Sequence, residues 1–114
     1  MKFDIVTIGS ATRDVFMASS AFRVVDDPKH LKNIGFITGK AQCLPLGGKI
    51  EIKEPVFTTG GGATNAAITF SRQGFKTAAL FKTGNDIAGE EVLEELKKEK
   101  VFPLAVHDKK IKTD

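Results

Sequence analysis

The chain has no tryptophan, no tyrosine and a single cysteine in its 114 residues. Cys43 cannot close an internal disulfide, so no covalent staple holds the fold, and a reducing cytoplasm is the expected setting. No apolar run approaches the roughly 20 residues that a membrane helix needs. The first apolar run is short and interrupted by Asp4, unlike the core of a signal peptide. Neither sign of charge dominates. The net charge is +3, acids and bases are interspersed, and no basic stripe is interleaved with aromatics, which argues against nucleic acid as a partner. His30 and His107 stand without a partner at metal-ligand spacing and Cys43 has no nearby histidine, so neither a zinc site nor a catalytic triad is supported. A Walker A loop is missing as well: Gly39-Lys40 runs into Ala41 and Gly48-Lys49 into Ile50, where serine or threonine is required.

What is present is an ordinary globular composition, 41% hydrophobic and 27% charged, in a length that suits one small domain. The nine phenylalanines are expected to fill a core. Phe3 to Gly9 reads as a strand buried on both faces, being rich in β-branched and apolar residues. A loop carrying Arg13 and Asp14 follows, with Arg13 read as solvated. Residues 17–58 are punctuated by Asp26-Asp27-Pro28, Gly35, Gly39 and Gly47-Gly48, which predicts short strands rather than a long helix. Ile50 to Val56 begins with alternation and contains Pro55, the pattern of an edge strand. Ala63 to Gln73 reads as a helix stopped by Gly74. Thr77 to Lys82 reads as a buried strand, and Ala88 to Lys100 as an amphipathic helix with Val92, Leu93 and Leu96 on one face. Glu94 and Lys98 form a favourable i,i+4 pair on it. Phe102 to Val106 is a third strand. Strand, glycine turn, helix, strand, helix, strand is α/β grammar, and a parallel sheet of that kind needs cover on both faces.

The chemistry concentrates at Thr59-Gly60-Gly61-Gly62-Ala63-Thr64-Asn65. Glycines between a strand and a helix let bare backbone approach an oxygen-rich ligand. A dinucleotide fingerprint would need Gly or Ala where Asn65 stands, which leaves a dinucleotide-binding oxidoreductase as a poor alternative. A tight turn with no ligand also accounts for part of the run. The Asn65 amide is both donor and acceptor, suited to a hydroxyl or equally to capping the helix. Asp14 follows the first strand, where α/β sheets bind ligands, and its carboxylate can accept from two adjacent hydroxyls or cap a turn. Asp86 reads as the cap of the amphipathic helix.

Together Ile8-Gly9-Ser10 with Asp14, then Gly60 to Ala67, then Arg72-Gln73-Gly74, then Thr83-Gly84-Asn85-Asp86 with Gly89 resemble the N-terminal signature of the ribokinase-like (PfkB) carbohydrate kinase family. The resemblance spans nearly the whole chain. It implies a Rossmann-like αβα sandwich of which residues 1–114 are the N-terminal part, with residues 17–58 contributing a small β lid. It implies ATP-dependent phosphoryl transfer, with Mg²⁺, to a hydroxyl of a sugar or nucleoside. By position, Asp14 and Asn65 would bind substrate hydroxyls, while Gly60 and Gly61 would admit the substrate to the backbone. Many members carry lysine where this chain has Gly62. The family's second signature, of the Gly-Ala-Gly-Asp type, supplies the anion hole and catalytic base, and nothing in residues 1–114 resembles it. The expectation is therefore a substrate-binding half without catalytic or metal-binding residues, which binds no ATP tightly and is inactive alone. Such a half could serve as a non-catalytic binding module. Further expectations are no membrane partner, and a homodimer formed through the lid.

Overall fold

The computed structural model describes residues 1–114, which divide into two units, Met1–Val15 with Phe57–Asp114, and Phe16–Val56. The first unit is built on three parallel strands, β1 (Ile5–Ile8), β6 (Thr77–Gly84) and β7 (Phe102–Asp108), in the order β1-β6-β7. Helix α2 (Gly62–Arg72) leads into β6, and α3 (Ile87–Lys98) joins β6 to β7. Both crossovers step the same way across the sheet. The right-handed rule for such connections then puts both helices on one face. The core confirms it: Ala63 and Ala67 of α2 and Val92 and Leu96 of α3 cluster with Ala79 and Phe81 of β6 and with Val101. Thr7 faces the same way and donates from Oγ1 to the Ala63 carbonyl at 2.8 Å. The class is mixed α/β with a parallel sheet, as expected.

The other face differs from the expectation. Residues in register share a face, so Val6, Ala78 and Phe102 form one row and Ile8, Leu80 and Leu104 the next. Ile8 is 75% exposed and Val6 48%. The first strand is therefore covered on one side only, because no helix of these residues reaches the other. Nor do the phenylalanines fill the core. Only Phe81 is buried, while Phe16, Phe36, Phe57, Phe75 and Phe102 are exposed.

Strand and helix ends follow local chemistry. Gly61, with φ of 103°, is the cap residue of α2 and Gly74, with φ of 95°, lies just beyond its end. Asp86 caps α3 by accepting the Gly89 N–H at 2.9 Å. Lys98 sits 3.9 Å from Glu95, one turn back, rather than on the expected Glu94. The segment read as a loop at Arg13 and Asp14 is a strand, β2 (Thr12–Phe16), which pairs with β5 (Val56–Gly60) in a two-stranded sheet. Partnering, not local propensity, extends it.

In the second unit, β3 (Arg23–Asp26) and β4 (Lys40–Cys43) form an antiparallel ribbon closed by a Lys40–Asp26 ion pair of 2.9 Å. Between them lies a helix the sequence reading missed, α1 (Pro28–Asn33). Its signals were legible: Asp27 accepts the His30 N–H at 3.2 Å and Pro28 occupies the first turn. The edge strand expected over Ile50 to Val56 does not form. Pro55 lacks an N–H and Glu54 takes a φ of 47°, so extended structure begins only at Val56. No helix of the chain is long and apolar enough to cross a membrane.

Candidate functional site

The glycine run turns the chain from β5 into α2, and each glycine has a different reason to be there. A Cβ on Gly60 would overlap the Asp14 carboxylate and come 2.7 Å from Thr12 Oγ1. A Cβ on Gly61 would overlap the Ser10 carbonyl and lie 2.8 Å from the Ala11 Cα, and its φ of 103° is one that side chains avoid. Gly62 has nothing within 4 Å of that position. Asp14 and Gly60 are thus in contact, with the carboxylate resting on bare backbone.

Asp14 is held there by Thr12, whose Oγ1 donates to Asp14 Oδ1 at 3.0 Å. Ser10 holds the turn: its Oγ accepts the Gly62 N–H at 3.1 Å and its carbonyl accepts the Ala63 N–H at 3.1 Å. Arg13 is not solvated as expected. Its Nε lies 2.7 Å from Glu91 Oε2, its guanidinium stacks 5.2 Å from the Phe57 ring centroid, and it leaves Asp14 without an ion pair.

Asn65 lies in the first turn of α2, its N–H donating to the Gly61 carbonyl at 3.0 Å. Its side chain is exposed, makes no internal hydrogen bond, and opens onto a cavity of about 290 Å³. Thr58, Thr59, Thr69, Arg72 and Glu99 also line that space, whereas Asp14 does not. Thr59 is 6% exposed and its Oγ1 has no hydrogen-bond partner. The structure therefore brings Asp14, Gly60 and Gly61 together around Ser10 and Thr12, with Asn65 on the adjoining turn facing a polar hollow. Ser10 and Thr59 stood in the sequence motifs without a role of their own, and Thr12 was not singled out from sequence. Thr59 adjoins Gly60 in the sequence, whereas Thr12 reaches the glycine run through the β2–β5 pairing.

Two of the N–H groups at the glycine turn are not free for an anion. An anion cradle at a helix start needs free N–H groups, and Ser10 already takes those of Gly62 and Ala63. No group of three or more His, Cys, Asp or Glu side chains is placed to hold a metal ion.

Three carboxylates contribute to the acid response. The backbone N–H and hydroxyl of Thr113, with the Gly89 N–H, hold Asp86 below the usual carboxylate range. The Arg72 guanidinium does the same for Glu99, and Lys82 and the Lys110 N–H for Asp108. A depressed folded pKa stabilises the fold above the unfolded value of about 4, and that stabilisation is lost as pH falls through the folded value. The melting temperature is expected to hold from pH 7 to about 5 and to drop progressively below about 4. A melting temperature that rises on acidification in a calorimetric pH series would contradict this.

The profile described as pfkB family carbohydrate kinase matches residues 2–113. The chain belongs to the PfkB family of carbohydrate kinases. Solved structures of similar fold include a carbohydrate kinase from Agrobacterium tumefaciens, 21% identical with a TM-score of 0.67, the match covering 95% of this chain and 28% of that one. Phosphofructokinase-2 from Escherichia coli in complex with fructose-6-phosphate is 24% identical, with a TM-score of 0.62 and coverage of 95% and 28%. Fructokinase with bound ATP from Xylella fastidiosa is 17% identical, with a TM-score of 0.62 and coverage of 96% and 27%. At these identities the likeness is one of fold. The chain spans less than a third of the length of each. Among curated proteins none matches the chain by sequence.

Proposed function

We propose that residues 1–114 form the acceptor-binding half of an ATP-dependent sugar or nucleoside kinase of the PfkB family, with residues 17–58 as a β lid. The observation that supports this reading is the Asp14 carboxylate resting on Gly60, where any side chain would displace it. In this reading Asp14 accepts hydrogen bonds from two adjacent hydroxyls. Gly60 and Gly61 let the sugar lie against the main chain, and Asn65 hydrogen-bonds a further hydroxyl through its free amide.

Phosphoryl transfer depends on positioning and on electrostatic stabilisation rather than covalent chemistry. The role of these residues is the first of those: to bind the acceptor and orient its hydroxyl. ATP with Mg²⁺ supplies the phosphoryl group, and in this reading it binds outside residues 1–114, where the Gly62 and Ala63 N–H groups are already paired with Ser10. The 114 residues alone are then a sugar-binding module without kinase activity. The ribbon of β3 and β4 has only two strands, with Val24 71% and Val25 42% exposed. A two-stranded ribbon is marginal alone, which supports pairing with a second lid in a cytoplasmic homodimer.

The test is ATP-dependent phosphorylation of a broad panel of sugars and nucleosides by the full-length protein carrying this sequence. The expected result is turnover of at least one, with none by residues 1–114 alone. No turnover across the panel by the full-length protein, or turnover by the 114 residues, would contradict the reading.

A further inference from the structure

A hollow of about 600 Å³ opens at the end of the first unit away from the glycine turn, where the parallel strands begin. Its floor is apolar. Phe3 and Phe102 pack with ring centroids 5.3 Å apart, and Val101 and Pro103 continue the surface. Around it stand four lysines, Lys2, Lys76, Lys97 and Lys100. None of the four makes an ion pair. One carboxylate stands beside them, Asp4, which accepts the Lys76 backbone N–H at 2.8 Å, while Glu99 is paired with Arg72.

Lys100 adds an independent observation. Helix α3 ends with the Lys100 N–H on the Lys97 carbonyl at 3.0 Å and the Val101 N–H on the Leu96 carbonyl at 2.8 Å. That closure puts Lys100 in the left-handed region, with φ of 59°. Glycine is the usual residue there because any Cβ is disfavoured. The chain instead places a lysine at the rim of the hollow against its backbone preference. Solvated surface lysines are common, but four unpaired ones around a single apolar floor, one of them in a strained position, are complementary to a molecule with an apolar body and an anionic head.

We propose that this hollow binds a small amphipathic anion, a free medium-chain fatty carboxylate, with its hydrocarbon on Phe3, Val101, Phe102 and Pro103 and its carboxylate among the lysines. The volume falls in the range of small-molecule sites. The site shares no residue with Asp14, Gly60, Gly61 or Asn65 and does not depend on the kinase reading.

Decanoate titrated into the 114-residue protein by calorimetry is the test, with decyl glucoside as the uncharged comparison. Saturable 1:1 decanoate binding that weakens with added salt and exceeds binding of decyl glucoside is expected. Changing the four lysines to glutamine is expected to weaken it by on the order of 10-fold. K100G separates ligand from fold: it relieves the left-handed strain, so the melting temperature rises while decanoate affinity falls by about 2- to 5-fold. Ile8→Ser, on the bare sheet face, leaves affinity unchanged. Equal binding of decyl glucoside, an unchanged affinity in K100G, a loss in Ile8→Ser, or binding only to anionic vesicles would each overturn the proposal.

Discussion

Replacing Gly61 by alanine is expected to lower stability by about 3 kcal/mol or more, the largest loss of any single methyl addition in the chain. Two costs combine. A φ of 103° with ψ of 153° lies in a region essentially reserved for glycine. The new Cβ would also overlap the Ser10 carbonyl and crowd the Ala11 Cα. Those neighbours are backbone, and Ser10 is tied to the α2 start by its own hydrogen bonds to Gly62 and Ala63, so they cannot give way cheaply. Against a total stability of about 5–15 kcal/mol for a domain, the melting temperature is expected to fall by about 10 °C or more. Gly62→Ala, one residue on, is the control. Nothing lies within 4 Å of its Cβ position and it sits inside the helix, so alanine there is expected to be neutral or to stabilise by about 0.5–1 kcal/mol. Thermal melts of the two variants check this, and similar melting temperatures would contradict it.

Replacing Asp14 by alanine is expected to act on the acceptor and not on the fold. Asp14 is exposed and its one side-chain partner is Thr12, at 3.0 Å, so its removal leaves no buried group unpaired. A hydrogen bond to a charged group is worth about 1.5–3 kcal/mol. On the proposed function, the sugar KM of the full-length protein is therefore expected to rise on the order of 10- to 100-fold, with the ATP KM and the melting temperature little changed. Gly60→Ala is expected to reproduce much of that rise, because its methyl would displace the Asp14 carboxylate. This carboxylate is the end of a flexible side chain, so Gly60→Ala costs less stability than Gly61→Ala. Steady-state kinetics with varied sugar and varied ATP check this. An unchanged sugar KM in Asp14→Ala would remove Asp14 from the site.

The elements with sustained patterns were legible in the sequence. The helices at α2 and α3 and the strands β6 and β7 lie within two residues of where periodicity puts them, because packing there agrees with local preference. Asp86 as a cap was legible for the same reason. The misses arose where distant partners decide. Arg13 and Asp14 form a strand only because β5, more than 40 residues on, pairs with β2. Val6 and Ile8 read as doubly buried because the strand is apolar throughout, yet the direction of both crossovers leaves one face open. Helix α1 was overlooked although Asp27 and Pro28 announce it, since a six-residue helix carries too little apolar periodicity to register. At the site, Asp14, Gly60, Gly61 and Asn65 stood out by type and spacing. Thr12 did not, and Ser10 and Thr59 stood in the motifs without a role, because a hydroxyl acquires a role only from what folds against it.

The measurement that tests the account most directly is a sugar titration of the isotope-labelled 114-residue protein, followed by amide and side-chain NMR shifts. The account predicts saturable shifts at Asp14, Gly60 and Gly61 and at the Asn65 side-chain amide for at least one sugar or nucleoside, absent in Asp14→Ala. Shifts confined to other residues, or the same shifts in Asp14→Ala, would contradict it.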